Sequence, residues 1–250
     1  MQYYYKLGQV LRFQSKWNEA EAEFRKAVTL QPNFPWAYHD LGLALREQGR
    51  FSDAVVALKH GQELLPDSRL FQSTRETERL AQLDAILPVI LKGEAQPTDP
   101  EVGVNLAFLC LMYKHRDAAA ADFYAKAFVA EPKLADDVAA YHRYNAACAA
   151  VLAGCGRGGD APAAEADRAR LRSRAMQWLR DDLNVWRPRV SSVLPGVGPH
   201  AVNALTLWRE DHDLADVRDP NALMKLPEAE RQEWQKLWAD LDALLPKTKP

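Results

Sequence analysis

Apolar residues fall at helical spacing from the start of the chain. Tyr4, Leu7, Gly8 and Leu11 lie on one face of a first helix, and Ala20, Phe24 and Ala27 on one face of a second. Residues three and four apart stack above one another on a helix, so each set makes a continuous stripe. Pro32 ends the second helix, because it lacks an amide hydrogen and its ring clashes with the preceding turn. The set then returns as Tyr38, Leu41, Gly42, Leu45, Ala54, Leu58, Gly61 and Pro66, a stride of about 34 residues. A third copy, Val104, Ala107, Leu111, Ala120, Tyr124, Ala127 and Pro132, follows after an interruption. Its eighth place holds Phe108 where the earlier copies hold glycine. Either the helices there pack more openly or the phenylalanine points elsewhere.

In the interruption, Leu80, Leu83, Leu87 and Ile90 predict one long helix over 69–93, with Pro88 as its kink point. GEAQPTDP (93–100) reads as a linker. Thr98 and Glu101 can form a capping box at its end, with Asp99 as the rival cap. Further on, YNAACAAVLAG reads as the first helix of a fourth copy, with Ala146 and Ala147 in the places of Leu41 and Gly42, and Gly154 in the place of Gly49. CGRGGDAP is then a lengthened turn. The partner helix resumes near Ala163 and runs through Ala175, Trp178, Leu179, Leu183 and Trp186. Near the end, Pro227 suits a helix start, and Trp234, Leu237, Trp238, Leu241, Leu244 and Leu245 make one apolar stripe. Such a stripe covers the last repeat or, alternatively, is offered to a partner.

The spaced set resembles tetratricopeptide repeats, closely over 1–68 and in looser form over 101–132. The resemblance implies an all-α, right-handed helical solenoid whose irregular C-terminal helices act as a cap. It divides the chain into two regular repeats (1–68), a spacer helix and linker (69–100), two divergent repeats with a loop insertion near 154–163 (101–190), and capping helices (191–250). In this family the first helices of each pair line an inner wall. The inward places imply a peptide site of Tyr5, Gln9, Arg12, Trp36, His39, Leu43, Arg46, Asn105 and Leu109. The same aromatic residues would serve equally to pack neighbouring repeats. Members that clamp a terminal carboxylate use lysine and asparagine where this chain has Tyr5 and Gln9, so that clamp is not expected. HRYNAACAAVLAGCG, WLRDDLNVW and KLPEAERQEWQKLWADLDALL are similar to the C-terminal repeat arms of large bacterial serine/threonine protein kinases. This narrower resemblance implies a recruiting arm with the kinase domain upstream. The first helix has no polar cap and bares an apolar side, so a cover is expected, either further repeats or a second copy of the chain.

Candidate chemistry changes this picture little. The net charge of −2 gives no general attraction to nucleic acid or anionic lipid. Three cysteines and no apolar leader or spanning run point to a soluble cytoplasmic protein. The glycines of CGRGGD follow a helix and precede no lysine, so they do not form a phosphate-binding loop. No kinase or hydrolase motif is present, and the chain is expected to be non-catalytic and to need no cofactor. The acidic run WREDHDLADVRDP (208–220) carries the alternative reading, a metal-binding module or metal-dependent enzyme. It lacks the glycine and glutamate of a calcium loop. Its aspartates read more simply as turn and cap residues, with Asp219 capping a helix that begins at Pro220.

Overall fold

A computed structural model describes residues 1–66 and 68–246; among them are helices and turns and no strand. The chain divides into two compact units, Met1–Gln96 and Pro97–Pro250.

The first unit holds α1 (Gln2–Phe13), α2 (Trp17–Leu30), α3 (Pro35–Glu47), α4 (Phe51–Leu64) and α5 (Ser68–Leu91). α1 pairs with α2 and α3 with α4, as the repeat predicts. The glycines at the eighth place explain how closely the partners approach. A methyl group on Gly8 would lie 2.6 Å from a Phe24 ring carbon, and one on Gly42 would lie 2.5 Å from Leu58 Cγ. Phe24 is fully buried in a cluster with Ala20, Leu41, Ala44, Leu45, Ala54 and Ala57. α5 packs on α4 and touches α3, just as α3 packs on α2 and touches α1. The expected spacer therefore takes the station of a repeat's first helix.

Each hairpin turns through one left-handed residue. Ser15 (φ 56°) and Gly49 (φ 71°) are followed by amides that reach back, Lys16 N to Leu11 O at 2.9 Å and Arg50 N to Leu45 O at 3.0 Å. This closes the orphan carbonyls at the helix end.

The second unit begins with α6 (Pro100–Leu109), a π-helical turn (Cys110–Lys114) and α7 (Asp117–Ala130). Here the left-handed residue is His115, and Arg116 N reaches Cys110 O at 3.1 Å. That closure spans 110 to 116, one residue more than 11 to 16 or 45 to 50. A π-turn is a one-residue insertion in a helix, so the third copy slips by one upstream of it. Pro100, not Glu101, stands where Pro35 stands, and Ala107, not Phe108, takes the place of Gly8. Phe108 accordingly points outward, 38% exposed, against Tyr113. Asp99 is the cap of α6, accepting from Val102 N at 2.8 Å, whereas Thr98 only donates to Asp99. Thr98 is therefore not the cap.

The remaining elements are α8 (Lys133–Asp136), α9 (His142–Gly154), α10 (Glu165–Val190), α11 (Val197–Glu210), a 3-10 helix (His212–Val217), α12 (Pro220–Leu223) and α13 (Glu228–Asp242). α9 and α10 form the expected fourth pair around a long turn. The turn holds two left-handed residues, Gly156 (φ 80°) and Gly158 (φ 77°); Arg157 N follows the first and reaches Leu152 O at 2.8 Å, so Gly156 and not Gly154 matches Gly49. Gly154 instead lets α10 approach, since a methyl group there would lie 2.7 Å from Arg172 Cγ. The C-terminal stripe is buried through Trp234, Leu237, Trp238, Leu241 and Leu245, and Trp238 Nε1 donates to Val217 O at 2.7 Å. Asp219 does stand at the N-cap of α12, but its carboxylate makes no cap bond and pairs with Arg218 instead.

Candidate functional site

In the first unit, α1, α3 and α5 are joined by a polar ladder. Gln9 Nε2 donates to the Tyr5 hydroxyl at 3.0 Å and to Asp40 Oδ2 at 3.3 Å. His39 Nδ1 lies 3.6 Å from Asp40 Oδ1, and its Nε2 lies 3.3 Å from Ser73 Oγ on α5. The Tyr5 ring packs edge-on against Phe34 at 4.8 Å and leans on Phe24. Burial, and then the Asp40 carboxylate, raise the Tyr5 pKa, so the hydroxyl stays protonated. Tyr5 therefore both packs between helices and carries a rung of the ladder. Trp36 stands edge-on to His39 at 6.3 Å.

The two arginines of this face differ. Arg46 is already engaged, donating to Glu47 at 3.0 and 3.1 Å and lying 3.8 Å from Glu76 on α5. Arg12 has its guanidinium over the Phe13 ring at 5.3 Å, and its buried Nε has no acceptor among the described residues. Leu43 is half-buried.

Sequence reasoning missed Asp40, which is 6% exposed and holds the ladder together. The available signal was an aspartate inside an otherwise apolar helix, where its side chain competes with the backbone.

The second unit contributes less of the expected face. Asn105 spends its amide on Glu101 O within α6. Leu109 is fully buried, so it offers a peptide nothing. The one-residue slip at the π-turn is the cause, since it rotates this part of α6 away from the expected register.

The glycine-bearing turn has a structural role. Asp160 accepts from Ala118 N at 3.1 Å and Ala119 N at 3.0 Å, capping α7. A carboxylate of the protein thus occupies the amides that an external phosphate would need. Asp117 sits beside it, 4% exposed, with its Oδ2 against Gly158. Burial first and then Asp160 push the Asp117 carboxyl up to about 6 from 3.8. A raised carboxyl pKa favours the folded state at low pH, and that contribution fades as pH rises from about 4 through about 6. Asp117→Asn should therefore stabilise the chain by about 1–3 kcal/mol at pH 7.5, with the gain vanishing below about pH 4. Urea unfolding of both proteins across that range checks it. A gain that persists at pH 3.5 would mean that ionisation is not the cause.

In the acidic run, the ligand atoms of Cys148, Asp211 and Asp213 lie within 4.8 Å of one another. Asp211 is already used: its Oδ2 accepts from the Tyr144 hydroxyl at 2.6 Å and its Oδ1 from Asp213 N at 2.9 Å. Burial, and then the Asp211 and Asp213 carboxylates, push the Cys148 thiol well above its ordinary value. Asp216 pairs with Arg157 at 2.9 Å. These roles are those of turns, caps and ion pairs.

Residues 8–49 match the family model of the TPR repeat. No curated protein matches the chain. Among solved structures, the crystal structure of yeast Tom70 is similar at 12% identity with a TM-score of 0.33, over 98% of this chain and 55% of that one. No helix of the described residues is long and apolar enough to cross a membrane.

Proposed function

We propose that the chain is a non-catalytic protein–protein interaction scaffold, and that α1 and α3 of the first unit present its peptide site. The observation that carries this reading is Arg12. Its half-buried guanidinium pairs with no carboxylate among the described residues, so a peptide carboxylate that meets it gains a charged hydrogen bond. The ladder of Gln9, Tyr5, Asp40 and His39 supplies fixed donors and acceptors beside it, and Trp36 an aromatic flank. Arg46 plays a lesser part, since Glu47 and Glu76 already hold it.

The test starts from peptides selected from a random displayed library against the whole chain. Arg12→Ala should weaken the selected acidic peptides by roughly tenfold or more, the loss expected for a charged hydrogen bond. Trp36→Ala combined with Arg46→Ala should weaken them further. Binding untouched by all three changes would remove the site from this face. The wording of 142–156, 178–186 and 225–245 supports a narrower reading, the recruiting arm of a bacterial serine/threonine kinase. That reading requires a kinase joined to this chain to lose phosphorylation of the recruited protein when Arg12 is replaced.

A further inference from the structure

Between α9 and α11 the second unit opens a cleft of about 520 Å³. Tyr141, Tyr144, Asn145, Trp208, Glu210 and Asp211 are among its lining residues, and none of that lining is Lys, Arg or His. Its aromatic wall is fixed. The Tyr144 ring lies on Trp208 with centroids 5.4 Å apart and planes 17° from parallel, and its hydroxyl is tied to Asp211 at 2.6 Å. Tyr141 caps α9 in the left-handed region at φ 55°, a conformation that costs a bulky side chain energy. Asn145 adds an amide to the same wall.

The charge is one-sided. Glu210 is exposed and has no ion-pair partner among the described residues. It ends α11, where the helix dipole adds to the negative potential. The basic residues nearby are already used. Arg209 lies 3.3 Å from Asp242, and Arg218 donates to Trp208 O, Asp211 O and Asp219.

We propose that this cleft binds the arginine side chain of a protein partner, at a site separate from the face of α1 and α3. A guanidinium is flat, so it can lie on a tyrosine face while its fork meets a carboxylate, here that of Glu210. A lysine ammonium satisfies the charge but not the plane. A neutral group would leave Glu210 without a counter-charge, and an acidic one would be repelled by both Glu210 and Asp211.

The test titrates the whole chain with N-acetylarginine amide and follows amide and indole NMR signals. Saturable shifts are expected at Tyr141, Tyr144, Asn145, Trp208 and Glu210. N-acetylcitrulline amide has the same shape without the charge and should bind at least about tenfold more weakly. Free L-arginine, whose carboxylate would face Glu210, should bind more weakly than the capped form. Glu210→Gln, an exposed change, should cost at least about threefold in affinity. Tyr141→Gly removes the ring while suiting the left-handed backbone, and should cost a similar factor. Equal binding of the citrulline compound, tighter binding of free arginine, or shifts lying elsewhere would overturn the proposal. So would calcium or zinc moving these signals where the capped arginine does not.

Discussion

Arg172→Met should lower the stability of the second unit by about 3–5 kcal/mol, the range for leaving a buried ion-pair partner uncompensated. Arg172 is 2% exposed. Its Nε and Nη2 donate to Glu230 at 2.6 and 3.0 Å, its Nη2 also to Glu165 at 2.7 Å, and its Nη1 to Gly154 O at 2.6 Å. One guanidinium thereby joins the C-terminal end of α9, the body of α10 and the first turn of α13. The carbonyl it meets is the negative end of α9, where a cation is favoured. Glu165 is largely exposed and would simply return to water, so most of the loss falls on Glu230 and Gly154 O. Arg172→Lys should recover only part of it, because an ammonium cannot fork onto a carboxylate. Replacing Glu230 by Met in the same chain should give back some of the loss, since no half-buried carboxylate is then stranded. Amide exchange in α9, α10 and α13 reads the effect locally. A change below about 1 kcal/mol in the single variant would mean that the pair adds little beyond its packing.

Much of this architecture was legible because helices that pair at a fixed stride must repeat their contact residues. Leu7, Gly8 and Leu11 and their second-copy equivalents announce α1 to α4, and Pro32 ends α2 for a local reason. The long turn after α9 and the buried stripe of α13 follow from composition in the same way. The π-turn was harder to see. The stretch from Leu111 to Ala120 has the same length as that from Leu11 to Ala20, so the extra residue leaves no mark downstream. Its traces lie upstream, in Pro100 standing one place early and in Phe108 occupying a place that belongs to a small side chain. The buried charges were hidden for another reason. Arg143 donates to Asp182 across 39 residues, and Arg172 to Glu230 across 58. Charged residues on amphipathic helices read as surface until their distant partners are known. The same limit applies to the candidate site, where Tyr5, Gln9 and His39 could be named from repeat places, but Asp40 could not.

Phe24→Ala should cost the first unit about 3–5 kcal/mol. Phe24 is fully buried, and its ring fills the space that Gly8 leaves open on α1. Truncation removes the apolar burial and leaves a cavity that two paired helices cannot readily close. Gly8→Ala tests the opposite error. Its methyl group would lie 2.6 and 2.7 Å from two ring carbons of Phe24, so the helices must separate or the ring must leave its rotamer, at about 1–3 kcal/mol. The two changes should couple. In the background of Phe24→Leu, a smaller side chain at that position, Gly8→Ala should cost much less or stabilise, because the methyl group then enters vacated space and alanine is the better helix former. Denaturant unfolding of the four proteins gives the coupling energy directly. Strict additivity would mean that Gly8 is not the residue that sets the distance between α1 and α2, and the eighth place of the repeat would need another explanation.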